Sequence, residues 1–180
     1  MTGALPPSFA ALAFRLDGVT PANDAATRHI LRGHGVEIDH VRPRGDDGFE
    51  FDETRTGPLA CWIADGDRHD QVVAWQPDRP DKLRYLDGDR AAFIGRWYLN
   101  DRATCRRPVR IFADIETWLK AAREGVVILA WEAFNPHCDL ADIPEVQCPS
   151  EAAKSRLEAA CKPRFKITIA ADREGRRHAA

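Results

Sequence analysis

The 180-residue sequence predicts a mixed α/β (α+β) fold: an N-terminal antiparallel β-meander with a C-terminal βαβ unit and flanking helices. Three observations predict it. Between Val36 and Trp75, short apolar runs alternate with the turn sequences Asp46-Asp47-Gly48, Thr56-Gly57-Pro58 and Asp65-Gly66-Asp67. Acidic residues beside glycine accept the left-handed backbone that hairpins require. Between Pro108 and Trp131, a strand-like run, a helix-period segment and a second apolar run follow one another within 24 residues, which leaves about twelve for a crossover between parallel strands. Finally, a composition of 44% hydrophobic and 30% charged residues with a net charge of −2 suits a chain that buries about two thirds of its unfolded surface.

Taken in order, Phe9–Leu16 is apolar and then alternating, which reads as a strand closed by Asp17-Gly18. Thr20-Pro21 places a hydroxyl cap before a proline at the first helical position, so a helix is expected from Pro21 to Arg32, ending at Gly33 or Gly35. The meander then comprises Val36–Val41, Phe49–Phe51, Leu59–Ile63 and Gln71–Trp75. Pro- and Asp-rich Gln76–Lys82 is expected to be an irregular loop, Leu83–Leu86 a short strand, and Arg90–Ile94 a helical turn leading to Trp97–Leu99. Val109–Phe112 is the first strand of the βαβ unit. Asp114 caps a helix whose inner face carries Ile115, Trp118, Leu119 and Ala122 at i, i+3, i+4 and i+7, Gly125 stops it, and Val126–Trp131 is the second strand. Phe134–Pro149 reads as a loop. Ser150 caps a helix over Glu151–Cys161 with Ala153, Leu157 and Ala160 inward, and Phe165–Ile169 is a last strand. The expected organisation is one domain over 1–171, with a subdivision point near 88–107 left open, and a charged tail over 172–180.

Several classes are set aside. The longest apolar runs, Phe9–Phe14 and Val126–Trp131, are six residues each against the ~20 a spanning helix needs, so no membrane association is expected. With no basic n-region or long apolar segment at the N-terminus, the expected location is cytoplasmic. Cys61, Cys105, Cys138, Cys148 and Cys161 are odd in number and contain no C-x-x-C pair, so neither a disulfide framework nor a metal site is expected, and no cofactor is implied. His29, His34 and His40 lack H-E-x-x-H spacing, and no phosphate-loop, dinucleotide or nucleophile-elbow motif occurs. The two Asp-Gly-Asp-Arg tetrapeptides, at 65–68 and 87–90, read as turn tips rather than a repeat. The five tryptophans fall mainly on apolar faces and are assigned to the core, with one reserved for a partner surface.

Two sets of residues could carry a function. In a parallel sheet, sites lie beyond the carboxyl ends of the strands, where this sequence places Asp114, Glu116 and Glu132. Converging carboxylates there could hold Mg²⁺ or move a proton; equally, Asp114 caps the helix and Glu116 complements its dipole. Arg102, Arg106, Arg107 and Arg110 form a cluster without an intervening acid, suited either to anion or phosphate binding or to protecting a strand edge. Charge is also uneven: residues 37–89 hold 14 acids and 7 bases, residues 154–177 hold 8 bases and 3 acids.

Ile-Phe-Ala-Asp-Ile-Glu-Thr-Trp-Leu-Lys-Ala-Ala at 111–122 resembles the strand-to-helix segment of Toprim domains in phage- and plasmid-type primases, which commonly reads Glu-Gly-Ile-Glu-Thr-Ala-Leu. The resemblance implies the local βαβ fold. The family's metal-associated glutamate falls on Ala113 and its glycine on Asp114, and its later Asp-x-Asp motif is absent after Trp131. Residues 72–86 and 111–131 are also similar in style to small uncharacterised proteins of bacterial prophage and mobile-element regions. The resulting expectation is a non-catalytic protein-interaction or accessory module, in the setting of mobile-element or phage DNA metabolism, with an unidentified protein as its partner. The alternatives are a small metal-dependent nucleic-acid enzyme, a degenerate Toprim-like form using Asp114, Glu116 and Glu132, and a non-specific nucleic-acid-binding protein.

Overall fold

In the computed structural model, residues 4–65, 71–86, 92–102, 108–141 and 143–161 are described, the side chains of 101 and 102 excepted. The expected last strand at 165–169 and the tail at 172–180 lie outside them. The chain is mixed α+β, as the sequence predicts.

It opens with two helices, α1 (Pro7–Asp17) and α2 (Asp24–Gly33). The first overturns the expected strand at Phe9–Leu16. Phe9, Leu12, Ala13 and Leu16 are its buried residues, spaced i, i+3, i+4 and i+7, so the helical period wins over the local alternation of Leu12, Phe14 and Leu16. Prolines start it, and Gly18 ends it in the left-handed conformation with its N–H donated to the Phe14 carbonyl at 2.8 Å. Helix α2 begins three residues later than expected, because the Asn23 side chain, not Thr20, caps it by accepting from the Ala26 N–H.

The meander is present but closes on itself. Strands β1 (Glu37–Arg44), β2 (Gly48–Phe51), β3 (Leu59–Asp65), β4 (Gln71–Gln76) and β5 (Arg79–Leu86) form a barrel in the order β1-β2-β5-β4-β3. All neighbours are antiparallel except β2 and β5, which run parallel through Gly48↔Tyr85 and Phe49↔Leu86. The expected loop at Gln76–Lys82 is instead a tight turn at Pro77-Asp78 and the first half of β5. That half is irregular: Ala74 pairs with Arg84 and Gln76 with Arg79, so a single β4 residue lies opposite four β5 residues.

The second sheet contains β6 (Phe93–Ile94), β7 (Val109–Phe112), β8 (Val126–Ile128) and β9 (Val146–Gln147), ordered β6-β8-β7-β9. Here β7 and β8 are parallel and are linked through α4 (Ile115–Lys120), the βαβ unit read from the sequence. Phe93–Ile94, expected in a helical turn, pairs antiparallel with β8; the helix is α3 (Arg96–Arg102), just beyond. Strand β8 stops at Ile128 because the chain turns at Ala130, whose carbonyl accepts from the N–H groups of Ala133 and Phe134. The supposed loop 134–149 contains a short helix α5 (Pro136–Asp139) and β9, parallel to β7. Last comes α6 (Glu151–Cys161), capped by the Ser150 hydroxyl accepting from the Ala153 N–H at 3.2 Å. Its inward residues are Ala153, Leu157 and Ala160, each half-buried.

One hydrophobic cluster spans both sheets. It joins Cys61, Ile63, Val73 and Trp75 of the barrel to Phe9 and Leu12 of α1, Ile94, Trp118 and Val127. Trp118 is fully buried and donates its ring N–H to the Gly125 carbonyl at 3.0 Å. Helix α4 is shorter than its periodicity suggested. Ala122 and Arg123 turn left-handed (φ 52° and 64°), the Arg123 N–H closes on the Trp118 carbonyl, and Ala122 is exposed rather than inward. Arg123 then reaches the barrel, donating to the Ala64 carbonyl at 2.9 Å with its guanidinium over the Trp118 ring.

Candidate functional site

The carboxyl end of β7 delivers Asp114 and Glu116 to one cleft of about 400 Å³ between α1, the β4–β5 turn and α4. Both carboxylates are engaged. Asp114 accepts from the Thr117 N–H at 2.8 Å and from its hydroxyl at 3.0 Å, the cap that starts α4. Glu116 accepts from the Nε of Arg15 with both oxygens, at 3.1 and 3.0 Å, and lies 3.3 Å from the Lys120 ammonium. The rest of the lining is mainly apolar, including Leu12, Trp75, Pro77 and Pro80. Glu132 follows the end of β8, is exposed, and is not part of this lining. The structure therefore brings together two of the three carboxylates named from the sequence.

Among the described residues, no group of three or more His, Cys, Asp or Glu side chains is placed to hold a metal ion. Cys61, Cys138, Cys148 and Cys161 are free thiols, and Cys105 lies outside the described residues. Two histidines have backbone partners: His40 Nδ1 meets the Gly57 carbonyl at 2.6 Å and His137 Nε2 the Cys161 carbonyl at 2.8 Å.

Of the arginine cluster, Arg106 and Arg107 lie outside the described residues, as does the side chain of Arg102 at the end of α3. Arg110 is exposed on β7, its guanidinium 5.7 Å from the Phe112 ring centroid. Strand β7 lies between β8 and β9, so protection of a sheet edge does not explain Arg110. In the basic C-terminal segment, Lys154 pairs with Glu151 and Arg156 stacks over Trp131; the bases from Lys162 onward are outside the described residues. Of the tryptophans, Trp75 and Trp118 are buried, Trp62 and Trp131 half-buried, and Trp97 is the exposed one.

Two polar centres were not foreseen. Asp52 is buried between β2 and β3 and accepts from the Thr54 hydroxyl, from the N–H groups of Thr54, Thr56 and Gly57, and from Arg42. Burial alone raises its pKa, but these hydrogen bonds outweigh burial and hold the carboxyl well below the usual carboxylate range. The signal was present as Asp52-x-Thr-x-Thr-Gly57, an acid followed by hydroxyl residues that close local loops. Asp65, at the end of β3, accepts with one oxygen from the N–H groups of Gly95 and Arg96 at 2.8 and 2.9 Å. Nearby Arg123 has its pKa lowered by burial, against the opposing pull of the Asp65 charge. Both centres join segments of backbone.

A second cavity, of about 210 Å³, is lined by four of the five barrel strands and shares only Trp75 with the first. Arg79, Lys82 and Arg84 line it, together with Gln76 and apolar residues that include Val41, Ala60 and Ala74, and with no acid among the described residues. No helix among the described residues is long and apolar enough to cross a membrane. Comparisons with protein-family models, curated proteins and solved structures found no significant match.

Proposed function

We propose that this chain is a non-catalytic protein-interaction module. The observation that carries the reading is the employment of the carboxylates at the α4 cleft. Asp114 is a helix cap and Glu116 a bridge to α1, which fits a scaffolding use of both groups. The apolar walls of the cleft meanwhile stand open to a side chain from outside. The lining itself holds one base, Arg15, against two acids, Asp114 and Glu116, with Lys120 paired to Glu116 from outside it; the occupant that fits is a partner segment with an apolar anchor flanked by a base that meets Asp114. The resemblance in style read from the sequence at 72–86 and 111–131 extends this proposal to an accessory role beside DNA metabolism.

Selection of a peptide-display library on the full chain tests this. The expected outcome is enrichment of sequences pairing an apolar residue with Lys or Arg, with binding lost in Pro80→Trp, which fills the cleft from an exposed rim position. No enrichment, or peptides that bind Pro80→Trp equally well, would overturn it. So would Mg²⁺-dependent cleavage or synthesis of nucleic acid by the purified chain that is abolished in Asp114→Asn.

A further inference from the structure

The irregularity in β5 has a geometric effect that the rest of the hairpin does not require. In a regular strand successive side chains alternate, so residues five apart face opposite sides. Arg79 and Arg84 are five apart. Yet Gln76 pairs with Arg79 and Ala74 with Arg84, and Gln76 and Ala74, two apart on β4, share a face. Directly paired residues also share a face. The extra residues opposite Trp75 therefore turn both arginines to the same side. Bulges are a known means of re-aiming side chains beside sites.

What they turn toward is the second cavity. Ala60 and Ala74 belong to that same face, since Ala74 pairs with Trp62, two residues from Ala60, and Val41 completes an apolar floor. Small side chains there leave open space where larger ones would fill the barrel. The rim carries three bases. Arg84 is anchored, donating through Nη1 to the Gly48 carbonyl at 3.1 Å with the Asp46 carbonyl at 3.5 Å, which fixes the guanidinium at the rim. Arg79 and Lys82 are exposed. Three of the seven bases in the acid-rich stretch 37–89 thus converge on one cavity whose lining, among the described residues, contains no acid. A concave site lined by a single sign of charge concentrates counter-ions, and guanidinium forks match the oxygens of phosphate.

We propose that this barrel pocket binds a phosphate monoester, its dianionic phosphoryl group held by Arg79, Lys82 and Arg84 and its organic part resting on Val41, Ala60 and Ala74. Three cations suit a double negative charge better than the single charge of a carboxylate. The pocket is independent of the α4 cleft, and either reading can fail without the other.

Calorimetric titration of the full chain tests it, with phenyl phosphate, inorganic phosphate and benzoate as probes. Phenyl phosphate is expected to bind at least tenfold more tightly than benzoate, and more tightly than inorganic phosphate because of the apolar floor. Arg84 also holds backbone, so the deciding variants are Arg79→Gln and Lys82→Gln, at exposed side chains; together they should weaken phenyl phosphate at least tenfold with an unchanged unfolding midpoint. Arg110→Gln, on the other sheet, should have no effect. The source of the phosphate is separated by oligonucleotides: preference for a 5′-phosphorylated over a 5′-hydroxyl strand assigns a strand end, and binding of phenyl phosphate without that preference assigns a free ester. Equal binding of benzoate, no loss in the double variant, or loss in Arg110→Gln instead would overturn the proposal.

Discussion

Arg15 and Glu116 are 101 residues apart in sequence, and the Arg15 Nε lies 3.0–3.1 Å from both oxygens of the Glu116 carboxylate. The contact ties the first helix to the helix of the βαβ unit. Its side chains retain 40% and 28% exposure, and exposed pairs of this kind contribute about 0–1 kcal/mol. Glu116→Gln is therefore expected to lower stability by no more than about 1 kcal/mol, measured by urea denaturation, and the loss should shrink in high salt. A larger, salt-insensitive loss would show that the bridge is better shielded than its exposure indicates.

Trp118 presents the opposite case. It is fully buried and its ring N–H is satisfied by Gly125. Trp118→Ala should cost about 3–5 kcal/mol, the range for removing a large aromatic from a core. Trp118→Phe keeps much of the volume but leaves the Gly125 carbonyl without that donor, so an intermediate loss is expected. Chemical denaturation of both variants checks the order.

Asp52 sets an acid limit on stability. Its folded pKa lies below that of an unfolded aspartate, about 3.9, because of the Thr54, Thr56 and Gly57 hydrogen bonds. A depressed pKa contributes stability that is fully present above the unfolded value and drains as pH falls through it toward the folded value. Denaturation midpoints should therefore drop between about pH 5 and pH 2 more steeply in the natural chain than in Asp52→Asn, and Asp52→Asn should be the less stable of the two at pH 7. Parallel pH curves for the two proteins would contradict this.

The thiols should separate by accessibility. Burial pushes Cys61 up to about 12 and also raises Cys148, where burial is joined by the nearby Glu158 charge. Since the thiolate is the reacting form, iodoacetamide at neutral pH should label exposed Cys138 and Cys161 first, Cys148 more slowly, and Cys61 only after denaturation. Peptide mapping by mass spectrometry reads the order.

The βαβ unit was legible because its signals are local: Asp114 as a cap, then Ile115, Trp118 and Leu119 on one face. The N-terminal helix was misread for a physical reason. Phe9–Leu16 carries both an alternating and a helical pattern, and only the packing of Phe9, Leu12, Ala13 and Leu16 into the common core decides between them. The α4 carboxylates were legible as candidates, and so was their structural use as cap and dipole partner. The basic pocket was not legible. Lys82 and Arg84 are at strand period, but Arg79 is five residues from Arg84, and only the register shift opposite Trp75 turns it to the side of Arg84. Nor could the sequence show that Asp65 and Arg123 fasten two sheets, since each partner is a backbone group distant in the chain.

That fastening bears on how the molecule can be divided. Asp65 at the end of the barrel accepts from the N–H groups of Gly95 and Arg96, Arg123 returns to the Ala64 carbonyl, and Ile94, Trp118 and Val127 cover the outer face of β3 and β4. A fragment ending before Ala92 would keep every barrel strand and both N-terminal helices, yet it would lose the Ile94, Trp118 and Val127 share of the cluster around Cys61, Ile63 and Val73 and leave the Asp65 carboxylate without its two donors. The barrel is complete in its own hydrogen-bonded ladder and incomplete in its core. The two sheets are therefore expected to unfold as one cooperative unit, and dissecting the chain at 88–107 should yield sticky, partly ordered pieces rather than two working halves.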